Sequence, residues 1–224
     1  MKIRNAPPGL LDGLSALLAF VLALPSADSN AQTMFIANAN CKGNNVQSDK
    51  SSVSIPPDLA RYLEGPTAEG RQFEFLIGKW DVDATKFDAE GSVLFRYRAT
   101  WRAGYLNDGR MVMDEFVALS PDGRSVSSYV TLRTYSETTR HWEMVGLAAL
   151  QPAAHAQWYG VWTGDEMQLD AAGVDPEGRC IRTKIRFSNI TVDRFLWESA
   201  SSADEGRTWA RTASLVATRV AGPP

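Results

Sequence analysis

Phe73-Glu-Phe-Leu-Ile-Gly-Lys-Trp80, FEFLIGKW, is the stretch on which the fold of this chain turns. An aromatic and branched run ends in Gly-x-Trp, and residues 81 to 220 continue as alternating, aromatic-rich segments broken by turn signals. Val93, Phe95, Tyr97, Ala99 and Trp101 share one strand face, opposite Leu94, Arg96, Arg98, Thr100 and Arg102. Ile181, Thr183, Ile185 and Phe187 repeat the pattern opposite Arg182, Lys184 and Arg186. The apolar sets are expected to face inward and the basic sets outward. Gly, Asn and Asp supply hairpin turns at Asp88 to Gly91, Asn107 to Gly109, Pro121 to Gly123, Thr163 to Asp165, Asp175 to Gly178 and Asp204 to Gly206, with further turns at Ser136 to Arg140 and Asn189 to Asp193. About ten strands result. The predicted architecture is all-β, an antiparallel up-and-down barrel without free edges; a β-sandwich is the alternative.

Working back from Phe73, Thr67 to Ile77 is read as a short helical turn that sets Phe73, Phe75, Leu76 and Ile77 against one barrel end. Leu59, Tyr62 and Leu63 have helical spacing after Pro57-Asp58, and Gly65-Pro66 stops that short N-terminal helix. Residues 32 to 54 read as a flexible leader and 55 to 222 as a single barrel domain with its helical segment. At the start, Lys2 and Arg4 precede an apolar stretch from Leu14 to Leu24, which Pro25 ends before small residues. That is the pattern of a secretory signal over residues 1 to 31, too short in its apolar core to span a bilayer, with cleavage expected after Ala31. The mature chain is therefore expected to be exported, periplasmic or secreted, with no membrane insertion after cleavage.

Cleavage would remove Lys2, Arg4, Asp12 and Asp28, two charges of each sign, and leave the net charge at −3. Nothing in that balance favours nucleic acid as a partner. The two cysteines, Cys41 and Cys180, would reach a compartment where a disulfide persists, and a bridge between them would contribute up to about 5 kcal/mol in the loop-entropy picture. Two Cys and two His are too few for a zinc cluster, and no metal is predicted.

FEFLIGKW, Trp101, the stretch Arg186 to Trp197 (RFSNITVDRFLW) and the stretch Ser201 to Trp209 (SSADEGRTW) followed by Arg219 resemble the DUF1579-like bacterial proteins, whose barrel is similar to the calycins, the lipocalin-like superfamily. The resemblance spans residues 70 to 220. It implies a calycin-like fold and brings no established activity. It also implies that the tryptophan of Gly-x-Trp closes one end beneath a basic residue of the last strand, which puts Trp80 under Arg219 or Arg211. Such a stacked pair is worth about 0.5–2 kcal/mol. Ser202 to Trp209 additionally matches the Asp box of sialidase-like propellers, and a single copy points to turn chemistry alone.

Seven Trp, nine Phe and six Tyr suit an aromatic interior. The chain is expected to bind a small apolar or amphipathic molecule among Trp101, Met113, Trp142, Trp158, Trp162 and Trp197, with Glu115 or Tyr97 as polar anchor. Glu115 shares a face with Met111, Met113 and Val117 and is the acid to watch. Gly146, Ala148 and Gly160 alternate with large aromatics, and such small residues either leave room for a guest or relieve crowding. An isomerase or hydrolase using Glu115, His141 or His155 as acid or base is the second reading, and a filled barrel for envelope interactions the third. His141 follows a turn and His155 sits in what reads as an Ala-rich loop, Pro152 to Gln157. No cofactor is predicted. Haem is the alternative, because nitrobindin-like haem barrels are also similar to Gly-x-Trp calycins, yet neither histidine stands in a pattern matching their ligand.

Overall fold

The computed structural model describes residues 60–149, 151–174 and 179–220, without the side chains of residues 61, 151–156 and 174. The signal segment, the leader and Cys41 lie outside the described residues. Of the N-terminal helix, the described part is a 3-10 turn, Arg61–Glu64, ended at Gly65 and belonging to a separate unit, residues 26–65. In place of one helical turn, the chain from 67 to 77 makes two 3-10 turns, Glu69–Arg71 and Glu74–Leu76.

The strands are β1 (Gly78–Phe87), β2 (Val93–Leu106), β3 (Met111–Leu119), β4 (Ser125–Ser136), β5 (His141–Ala148), β6 (Gln151–Trp162), β7 (Met167–Val174), β8 (Cys180–Ser188), β9 (Arg194–Ser202) and β10 (Ala210–Arg219). Each pairs antiparallel with its sequence neighbours, and β1 pairs with β10 from Trp80↔Arg219 to Lys86↔Ala213. The ring of hydrogen bonds is closed, so the fold is the calycin-like barrel and the sandwich alternative falls. β6 begins at Gln151 and therefore takes in Pro152 to Gln157, read above as a loop. Pairing with β5, Gly146↔Ala156 and Leu147↔His155, overrides the weak strand propensity of alanine there, and Pro152 stands at the strand's start, where a missing N–H is tolerated.

One end of the barrel is plugged. Phe73 and Leu76 are fully buried, and Phe73 meets Trp142 edge-on at 4.8 Å between ring centroids. Phe75 packs on Trp162, Phe187 and Phe195, and Trp80 on Phe195. Burial of such rings contributes about 1.5–3 kcal/mol each, and each aromatic pair about 0.5–1.5 kcal/mol more. The Trp80 indole N–H donates to Leu76 O at 2.8 Å. Arg219 lies over the Trp80 ring, 4.1 Å from its centroid, and donates to Ile77 O, Phe75 O and Val192 O. Arg211 takes another position, over Phe87 and in contact with Glu198. The plug thus positions everything above it.

Candidate functional site

Above the plug the inward faces of the strands line a half-open cavity of about 150 Å3. Its wall combines Tyr97, Trp101, Phe116, Tyr129, Met144, Trp158, Leu169, Phe187 and Trp197, and its charged members are Lys86, Asp114 and Arg133. Strand alternation explains how each arrives. On β1, Trp80, Val82 and Ala84 face inward, so Lys86 at the same phase must as well. On β3 the inward set is Val112, Asp114, Phe116 and Ala118, and on β4 it is Ser127, Tyr129, Thr131, Arg133 and Tyr135.

Asp114 and Arg133 form an ion pair through Oδ2 and Nη1, with side chains only 1% and 4% exposed. The other carboxylate oxygen accepts a 2.7 Å hydrogen bond from the Trp101 indole N–H. Arg133 also lies over the Phe73 ring, and its Nε has no hydrogen-bond partner among the described residues. Burial pulls the Arg133 guanidinium down to about 9, still protonated at neutral pH. Removing either partner would strand a buried charge, at a cost of about 3–5 kcal/mol. Burial also pushes the Tyr97 and Tyr129 phenols up to about 12, so both remain neutral. Trp158 pulls weakly the other way on Tyr129 without reaching hydrogen-bond geometry, and the buried Tyr129 hydroxyl has no partner among the described residues. Lys86, at the other end of the cavity, is pulled down to about 8 by burial alone.

Of the residues named from the sequence, Tyr97, Trp101, Trp158 and Trp197 line the cavity. Trp142 and Trp162 do not; they serve the plug, the Trp142 N–H donating to Gln72 Oε1 at 3.0 Å. Met113 and Glu115 are corrected outright: Val112 and Asp114 are buried, Met113 is 41% exposed, and Glu115 shares its outward phase. Both faces of β3 are apolar in sequence, so alternation alone does not distinguish Asp114 from Glu115. His141 is exposed, its ring nitrogen 2.6 Å from Thr139 O, and therefore lies outside the cavity. The His155 side chain is not among those described, and Cys180 is exposed with Cys41 outside the described residues. The small residues turn out to relieve crowding. Leu169 Cδ2 stands 2.8 Å from where a Cβ on Gly160 would be, and the Tyr129 hydroxyl occupies the Cβ position of Gly146. Among the described residues no group of three or more His, Cys, Asp or Glu is placed to hold a metal.

Lys86 and Arg133 were missed by sequence reasoning. Only the phase of Trp80, Val82 and Ala84 signals Lys86, and nothing local signals Arg133. The single Asp box behaves as turn chemistry. Asp204 accepts from Ser202 and from the Thr208 N–H and hydroxyl, which hold its carboxyl well below the usual range, and Trp209 donates to Gly206 O.

No family model matches the chain, and no curated protein matches it. Solved structures are similar in fold. The crystal structure of Rv2717c from M. tuberculosis matches at 14% identity over 70% of this chain and 99% of that one, with a TM-score of 0.48. The S-type phycobiliprotein lyase CPES from Guillardia theta matches at 14% identity over 69% and 97%, with a TM-score of 0.47. A redesigned β-barrel, mFAP1, bound to DFHBI, matches at 15% identity over 66% and 99%, with a TM-score of 0.35. At such identities the likeness is one of fold alone.

Proposed function

We propose that this barrel is an exported binding protein for a small apolar or amphipathic molecule, one aromatic ring or a short aliphatic chain in size. The observation that carries the reading is the aromatic-walled cavity of about 150 Å3, with a few polar groups set into it. A dry cavity of this volume accommodates a benzene-sized guest, and pockets of this composition derive affinity from burial and orientation from their polar groups. The polar groups include Lys86, the Tyr97 and Tyr129 hydroxyls and the unpartnered Arg133 Nε. Export is supported by the tripartite pattern of residues 1 to 31, and the DUF1579-like affiliation by the motifs from Phe73 to Arg219. No cofactor is required by the reading.

Trp101, Trp158 and Trp197 in the wall make intrinsic fluorescence the natural test. Single-ring and short-chain compounds are expected to change emission and raise the melting temperature, by about 2.7 kcal/mol of stabilisation at a hundredfold excess over Kd. A panel that leaves both unchanged would falsify the binding reading. Haem belongs in the same titration, and a Soret band in the protein as purified would replace the small-molecule reading with a haem one. Fractionation and N-terminal sequencing test export, with Gln32 the expected first residue.

A further inference from the structure

We propose that the guest carries one negative charge, a carboxylate on a ring or short chain, and that Lys86 is the residue that holds it. The proposal rests on the cavity being a binding site, as above. Lys86 is the last inward residue of β1, only 9% exposed, and it lines the cavity. It has neither an ion-pair nor a hydrogen-bond partner among the described residues. What faces it is uncharged. Ala213 stands opposite on β10 and Phe95 on β2, and the nearby cavity wall adds the Tyr97, Ser127 and Tyr129 hydroxyls. The one carboxylate lining the cavity, Asp114, is already engaged by Arg133 and by the Trp101 indole. Among the described residues, two cations and one anion in the lining leave a single positive charge unmatched.

An ammonium removed from water without a partner is costly, and it escapes that cost either by losing its proton or by meeting an anion. Lys86 is held near 8, so at neutral pH it is still mostly protonated and available to an anion. A monoanion cancels the one unmatched charge; a dianion would leave a new one. The cavity volume accommodates an attached apolar part of about a benzene ring.

Benzoate and its neutral near-isostere benzamide make the direct comparison, by calorimetry on the full mature chain at pH 7. Benzoate is expected to bind about tenfold or more tightly than benzamide, the scale of one charge-assisted hydrogen bond. Lys86→Met should abolish that preference and keep benzamide binding, while Lys86→Arg should keep the preference. In the native chain benzoate affinity should fall as pH rises above 8, with proton uptake on binding at pH 9 visible as a buffer-dependent heat. Equal affinity for the two compounds would overturn the anion site and leave the cavity reading standing. A benzoate preference that survives Lys86→Met would overturn the assignment to Lys86. Binding of neither compound would remove the cavity reading and the inference with it.

Discussion

Gly78 shows what a single residue does here. Its φ is 128°, and a Cβ at this position would collide with Arg219 Nη1, so the glycine of Gly-x-Trp is the space through which the guanidinium reaches Ile77 O. Gly78→Ala is expected to cost about 1–3 kcal/mol through strain and displacement of Arg219, and Trp80→Ala about 3–5 kcal/mol. Both losses should be read by urea unfolding, with affinity for cavity ligands retained in the folded protein. Lys86 makes the opposite prediction. Its folded pKa of about 8, against an ordinary 10.5, means that the unfolded chain binds more protons between those values, so stability rises with pH across that window. Tyr97 and Tyr129, near 12 when folded, hold protons the unfolded chain loses above about 10 and reverse the trend there. Below pH 8 the burial penalty is fully present. Lys86→Met should therefore stabilise the protein at pH 7 by about 1–3 kcal/mol and move the onset of the rise from pH 8 to about 9, where Arg133, also held down by burial, begins to contribute, as measured by urea unfolding across pH.

Among the strands, β4 is the instructive one. Val126, Val130 and Leu132 are its aliphatic side chains, yet Leu132 pairs with the exposed Met113 and it is Ser127, Tyr129, Thr131 and Arg133 that line the cavity. A strand that walls a polar-studded cavity inverts the usual rule, and hydrophobic alternation cannot announce the inversion. β8 and β2 from Phe95 to Trp101 wall the apolar side and were legible, whereas Val93, read on the inward face, lies beyond a register shift and is 45% exposed. The seam between β6 and β7 differs from the other ladders. Among the described residues, pairing runs from Tyr159↔Asp170 to Trp162↔Met167, while Ala171 to Val174 pair with β8. Amides along this seam are expected to exchange with deuterium well before those of the β1–β10 ladder, because fewer inter-strand bonds must break to expose them. Equal protection of the two ladders would contradict that order.

For the whole molecule the decisive event is the pairing of the first strand with the last. Trp80↔Arg219 brings residues at opposite ends of the barrel sequence into register and closes the ring of strands. A chain ending at Trp209, without β10, would expose the edges of β1 and β9 together with the Ala213, Leu215 and Ala217 side of the core. It is expected to aggregate on size-exclusion chromatography, whereas the full chain elutes as a discrete species. By itself, the sequence determined the strand count, the turns, the inward faces of β2 and β8 and the motif that closes the barrel. These follow from local chemistry, from turn residues with positive φ and from period-two patterning. Only the tertiary structure decided that the ring closes, which face of β3 and β4 is inside, and that Lys86, Asp114 and Arg133 share one cavity. The physical reason is that a strand's two faces differ by what lies across the barrel from them, and that partner is many residues away in the chain.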